Sequence, residues 1–345
     1  MAFETEKQVA IAAVRRACYL TSSIFQHLRR NETVVKDDDS PVTVGDFSSQ
    51  AVINTILSHT FPKDPIVGEE DSSELRLASG EALRNRIVEL VNKALTAPIH
   101  EGEDADWGLG PDHTLSAAEI LNIIDRGTYQ GGRQGRMWTL DPIDGTKGFL
   151  RGGQYAVCLA LIVDSEVKLG VVGCPNLPVS PGNPDGSRGC IFYAVRGEGT
   201  YQVPLSNPFN SAPARLHIPS RTHENLRIWQ SIGHTKLSLN DQVARALGIT
   251  TPSVSMDSQA KYCSILREGG IYLRLSEDSE FREKIWDHAP SAILIEEAGG
   301  IVSDANGKRL DFGLGRTLAS NYGVVAAGSD VHASVLEAVK ELEKQ

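Results

Sequence analysis

The sequence predicts an α+β chain whose second half is an α/β layer, and three patterns carry that expectation. Residues 155–163 and 166–174 are apolar runs joined by Asp164-Ser165, which reads as a β-hairpin, and 191–195 and 199–203 extend the same antiparallel sheet. From about residue 226 onward, strand and helix patterns alternate, as a smaller sheet with buried strands requires. Residues 5–30 place Val9, Ala13, Ala17, Leu20, Ile24 and Leu28 at helical spacing, which predicts a long amphipathic helix whose role is packing.

A second helix is expected from Asp46 or Phe47 to about residue 59, and residues 65–71 read as a short strand ending in the acidic cluster Glu69-Glu70-Asp71. Residues 72–134 are polar in texture, with helices over 80–95 and 115–125. Between them runs an acidic loop, 101–106, expected to be solvated together with His113. Residues 138–140 read as a strand that stops at Pro142, because proline fixes the backbone and lacks a donor. Residues 180–187 are a Pro/Gly/Asn-rich surface loop. Three prolines between 204 and 213 mark a boundary, giving an expected domain 1–207, with a helical insertion at 72–134, and a second domain 208–345. In the second half, strands are expected over 226–231, 253–256, 271–275, 300–303 and 323–327, with helices over 237–247, 261–267, 287–298 and 331–343.

The chain has 345 residues, 41% hydrophobic and 23% charged, with a formal net charge of −10. That balance argues against a nucleic-acid coat or a protein that lies on anionic membranes. An anionic small molecule remains compatible, because bound metal and a few cations reverse the sign inside one cleft. Five cysteines, Cys18, Cys158, Cys174, Cys190 and Cys263, form no C-x-x-C pair, and all are expected to be reduced thiols of a cytoplasmic protein. No run approaches transmembrane length, and the acidic first eight residues argue against a mitochondrial presequence.

The chemistry concentrates in Trp138-Thr-Leu-Asp141-Pro-Ile143-Asp144-Gly145-Thr146. Two carboxylates three residues apart on a Pro/Gly turn can converge on one point, where they repel unless a cation or a proton joins them. Hard divalent cations, Mg²⁺ in particular, take such oxygen ligands. The amides of Gly145 and Thr146 lie beside the acids and suit a phosphate oxygen. The plainer alternative is a turn in which an Asp caps the next segment. Asp37 to Asp39 form an acidic run of the kind usually solvated, and Asp46 by itself reads as a helix N-cap.

The motif Asp141-Pro-Ile-Asp-Gly-Thr146 resembles the first signature of the magnesium-dependent, lithium-sensitive phosphomonoesterases related to inositol monophosphatase. Trp286-Asp287-His-Ala, running on to Glu297-Ala-Gly-Gly300, resembles the second, and Gly68-Glu69-Glu70 the upstream acidic element. Within that superfamily the sequence is most similar to the 3′(2′),5′-bisphosphate nucleotidases, over nearly the whole chain. The resemblance implies a layered α/β/α/β/α sandwich. It implies two or more Mg²⁺ held by Glu69, Asp141, the carbonyl of Ile143, Asp144 and Asp287. It also implies that Asp46, working with the Thr146 hydroxyl, activates water, with Glu69 as ligand rather than base. Gly145, Thr146, His234, Ser258, Lys261, Arg274 and Asp287 are the implied substrate contacts, followed by Lys284 and Trp286. A second substrate phosphate needs cations away from the metals, which Lys261 and Arg274 supply. Pro290 departs from the small residue usual in the second signature, but proline is allowed in a helix's first turn.

The implied activity is removal of the 3′-phosphate of adenosine 3′,5′-bisphosphate, and also action on 3′-phosphoadenylyl sulfate, by a monomer. The alternatives are an inositol mono- or polyphosphate phosphatase and a non-catalytic nucleotide sensor. The sensor would predict a broken site, whereas every site acid is present; a fructose-1,6-bisphosphatase signature continues differently after the Gly.

Overall fold

A computed structural model of the chain describes residues 2–28, 34–35, 41–42, 44–98, 102–103, 113–222, 225–232, 239–275 and 280–342. The first half runs α1 (Glu4–Leu28), β1 (Val34–Val35), β2 (Pro41–Val42), α2 (Val44–Thr60), β3 (Ile66–Gly68), α3 (Glu81–Leu95), α4 (Ala117–Asp125), β4 (Arg136–Asp144), α5 (Thr146–Arg151), β5 (Ala156–Val163), β6 (Glu166–Pro178), β7 (Arg188–Val195), β8 (Gly199–Pro204) and β9 (Ala214–Leu216). The second half runs β10 (Ile228–Gln230), α6 (Leu239–Ala246), β11 (Val254–Ser255), α7 (Ala260–Glu268), β12 (Ile271–Arg274), α8 (Ala289–Glu297), β13 (Gly300–Ser303), β14 (Val324–Gly328) and α9 (His332–Leu342).

Strands β3 to β9 form a seven-stranded sheet in sequence order, antiparallel except for the parallel pair β3–β4. The β5–β6 hairpin turns at Asp164 and Ser165, both at positive φ (49° and 68°), the conformation a two-residue turn needs to match strand twist. A five-stranded mixed sheet has the order β11-β10-β12-β14-β13.

Period-two alternation explains the layering. Along β5, Val157, Leu159 and Leu161 face a core shared with α1, α2, α3 and α4. The alternate residues Ala156, Cys158 and Ala160 face a second core, shared with α7, α8 and the smaller sheet. On the smaller sheet, Tyr272, Val324 and Ala326 face that middle layer, while Ile271, Leu273, Val325 and Ala327 face α6 and α9. Both sheets are therefore covered on both faces, which accounts for their nearly continuous apolar strands. The result is the expected α/β/α/β/α sandwich.

The small residues facing the middle layer let α8 lie close to the larger sheet. A Cβ at Gly170 would collide with the Pro290 carbonyl and stand 2.6 Å from Ile293 Cγ2. Pro290 sits in the first turn of α8, where its missing N–H costs nothing, and the helix is intact.

Several expectations change. The larger sheet extends past the divide expected at 207/208, because β9 pairs with β8. The acidic loop is not wholly solvated: Glu103 is buried and pairs with buried Arg16 at 3.5 Å. Asp37 to Asp39 lie outside the described residues. All five cysteines are free and buried.

Candidate active site

Four chain segments meet where the two sheets approach each other. Strand β3 runs parallel to β4 with Gly68 beside Leu140, so Glu69 and Asp141 leave adjacent strands side by side. The expectation that Pro142 stops β4 is overturned. The strand continues to Asp144, which pairs with Ala156, and the register shifts between Asp141 and Asp144. Pro142 sits inside that irregularity, where no ladder N–H is needed, and its carbonyl accepts a hydrogen bond from Ser49 Oγ at 2.9 Å.

Gly145 follows at φ 86°, and a Cβ there would lie 2.9 Å from Ser258 Cβ. Only glycine meets both the positive φ and the close approach. Thr146 then opens α5, and its hydroxyl donates to the Ile143 carbonyl at 3.2 Å. Ser258, itself at φ 69°, precedes α7 and accepts through its hydroxyl from the Ala260 N–H at 3.2 Å. The next amide, Gln259 N–H, donates to Asp144 Oδ2 through a short bond. The Gln259 side chain donates to the Trp286 carbonyl (2.9 Å) and accepts from Ser291 Oγ (2.7 Å), tying α7 to the segment that carries Asp287. Nothing in the local sequence marked Gln259, because its role exists only once α7 and α8 pack.

Asp287 does not open a helix as expected. It stands in the turn before α8, whose N-cap is His288. Asp141, Asp144 and Asp287 each offer an oxygen within 4.8 Å of the others. Asp46 is the third residue of α2 and is buried; its charge acts on both Asp141 and Glu69. Glu69 is exposed as a residue, while its carboxyl end lies crowded among the neighbouring acids.

The acids strain one another electrostatically. Burial, then the charges of Glu69, Asp144, Asp287 and Asp46, hold the Asp141 carboxyl well above its usual range. Desolvation, with Glu70, Asp287 and Asp46, does the same to Glu69. Asp287 is pushed up to about 6 by burial and by Asp144. Burial raises Asp144 as well, against the opposing pull of Lys261 and the Gln259 amide. Asp141 Oδ1 is buried and accepts from no donor among the described residues. An orphaned carboxylate oxygen, in a set of converging hard oxygen donors, fits a divalent cation.

The charges of two cations, Lys261 and Arg274, act on Asp144. Lys261 is 4% exposed, donates to the Met256 carbonyl at 3.2 Å and lies 5.3 Å from the Tyr272 ring centroid. Burial lowers it to about 8, against the pull of Asp144. Arg274 donates through Nε to Glu283 Oε1 at 2.9 Å. Glu283 Oε2 also lies 3.4 Å from His288 Nε2, and His288 Nδ1 lies 2.8 Å from the Tyr262 hydroxyl. This buried chain anchors Arg274 to the turn bearing Asp287. Trp286 is buried, with exposed Lys284 5.7 Å from its ring centroid. The expected contact His234 lies outside the described residues.

The profile described as the inositol monophosphatase family matches residues 4–344. The chain is 47% identical to the 3′(2′),5′-bisphosphate nucleotidase of Schizosaccharomyces pombe, covering 98% of this chain and 96% of that protein. It is 44% identical to the 3′(2′),5′-bisphosphate nucleotidase of Emericella nidulans, covering 100% of both. Among solved structures, the fold is similar to the extragenic suppressor protein suhB from Bartonella henselae, with a TM-score of 0.61 at 17% identity over 98% of this chain and 99% of that one. It is also similar to CysQ from Bacteroides thetaiotaomicron, with a TM-score of 0.60 at 18% identity over 95% and 98%.

Proposed function

Because the chain belongs to the inositol monophosphatase family, we propose that it is a 3′(2′),5′-bisphosphate nucleotidase that converts adenosine 3′,5′-bisphosphate to AMP and phosphate. The observation that carries this reading is the meeting of Asp141, Asp144 and Asp287 within 4.8 Å, with the charges of Lys261 and Arg274 acting on Asp144. An acid cluster suits metal and the phosphate to be cleaved; separate cations suit a second phosphate.

In this reading Glu69, Asp141, the Ile143 carbonyl, Asp144 and Asp287 hold Mg²⁺, and Li⁺ inhibits. When bound, the metal supplies positive charge that acidifies water and offsets charge on the ester oxygens. Asp46 takes the water's proton while the Thr146 hydroxyl helps aim the oxygen at phosphorus. The new P–O bond forms as the bond to the ribose 3′-oxygen breaks; that oxygen takes a proton from water and leaves as the alcohol, and Asp46 returns its proton to solvent. The Gly145 and Thr146 amides face the phosphoryl oxygens, whose charge spreads in the transition state. Lys261 and Arg274 hold the remaining phosphate, and Ser258 and His234 are the further substrate contacts. The sulfated analogue 3′-phosphoadenylyl sulfate fits the same division. Five buried thiols suit a reducing cytoplasm, and we take the protein to act as a monomer.

Phosphate release from adenosine 3′,5′-bisphosphate, titrated with Mg²⁺ and then Li⁺, tests the reading. Activity should require Mg²⁺ and fall with Li⁺. Equal or better kcat/KM on inositol phosphates would overturn the nucleotide assignment.

A further inference from the structure

Arg316 is not part of either signature, yet it touches the neighbours of two site acids that arrive from opposite halves of the chain. Its own backbone is strapped to the segment leading into Asp287. Ile285 N–H donates to the Arg316 carbonyl at 3.1 Å, Lys284 and Thr317 form an antiparallel bridge, and Leu318 N–H donates to the Glu283 carbonyl at 2.8 Å. The side chain then crosses to the other half. Nη2 donates to the Gly68 carbonyl at 2.6 Å, and Nη1 donates to the carbonyls of Gly127 (3.1 Å) and Tyr129 (3.2 Å). On the way, the guanidinium carbon lies 4.7 Å from the Trp286 ring centroid.

Gly68 directly precedes Glu69, and Trp286 directly precedes Asp287. One rigid planar group therefore bonds the strand that delivers Glu69 and lies over the ring of the residue that precedes Asp287. The Gly127 carbonyl also accepts from Gly68 N–H at 2.8 Å, so the contact surface on the first half is itself braced. We propose that Arg316 is a positioning residue that sets the separation of Glu69 and Asp287 and so tunes the affinity of the site for its divalent metal. The proposal rests on the reading of these two acids as ligands of one metal cluster.

Arginine suits the task because its fork reaches several carbonyls while its flat face stacks on an indole. A lysine ammonium keeps the charge but has neither fork nor face. Groups that orient metal ligands are worth about 10- to 100-fold in metal affinity.

The test is Mg²⁺ binding to the metal-free protein by titration calorimetry, alongside steady-state kinetics, for wild type, Arg316→Lys, Arg316→Gln and Asp144→Asn. Arg133→Ala serves as control, since exposed Arg133 also links the halves through Asp311 at 2.8 Å but touches no neighbour of a ligand. Both Arg316 variants should bind Mg²⁺ about 10- to 100-fold more weakly. Saturating Mg²⁺ should restore most of kcat with little change in KM for the nucleotide, and Arg133→Ala should match wild type. Should Arg316→Gln fail to fold, the charge-keeping Lys variant carries the comparison. Wild-type affinity in a folded Arg316 variant overturns the positioning role while leaving the site intact. Equal Mg²⁺ binding by wild type and Asp144→Asn would instead sink the underlying site reading.

Discussion

Lys261 is a cation held out of water between an acid cluster and an aromatic ring. Its folded value of about 8 lies below the usual 10.5, so the charge is present below pH 8 and is lost as pH rises through it. If that charge holds a substrate phosphate, kcat/KM should be level below pH 8 and fall above it, by up to about tenfold per pH unit. Lys261→Arg, which stays protonated, should flatten the alkaline limb; a profile unchanged by that substitution would remove Lys261 from the binding site. Asp46 separates from the ligands by a different readout. Asp46→Asn should lower kcat by about 10²- to 10⁴-fold while leaving Mg²⁺ affinity near wild type. A large loss of metal binding in that variant would make Asp46 a ligand rather than a base. The role proposed for Asp46 comes only from its motif context, because a buried acid in a first helical turn otherwise reads as a cap.

Elements deliver these residues through packing that local patterns only partly reveal. Strands β5 to β8 were readable because hairpin turns and alternation are local. The end of β4 was not, since pairing with β5 carries the strand through Pro142 despite its missing donor. The start of α8 differs for a related reason: Asp287 is drawn into a turn beside the other acids, and His288 takes the N-cap position instead. The seat of α8 depends on Gly170, which faces Pro290 and Ile293. Gly170→Ala should destabilise the protein by about 1–3 kcal/mol through overpacking. Because α8 follows Asp287, the variant should also weaken Mg²⁺ binding; urea unfolding and metal titration check the two effects. Unchanged metal affinity would show that α8 and its preceding turn move independently.

At the scale of the molecule, two sheets and three helical layers force acids together that solvent would otherwise keep apart. Without metal, Asp287 titrates near 6 in the folded protein against an ordinary 3.8. Between those values the folded state binds more protons than the unfolded one. The sign follows: stability is fullest at low pH within this window and is lost as pH rises through about 6. The metal-free Tm should therefore fall between about pH 4 and pH 6, and added Mg²⁺ should raise it more at pH 6 than at pH 4. Asp144→Asn should raise the metal-free Tm by removing one charge, yet abolish turnover. A metal-free Tm that climbs across this window would contradict the clustering of charge.

Most of the longer helices and strands, the buried strands of the second half and the acidic signatures were set by the amino-acid sequence alone, since periodicity, turn chemistry and motif spacing are properties of neighbouring residues. Only the tertiary structure decided which acids meet, that Glu103 is buried against Arg16, and that Gln259, Glu283 and Arg316 brace the site. Those contacts join residues far apart in the chain. Their energies depend on distances and desolvation that exist only after the layers close, so no local pattern marks them in advance.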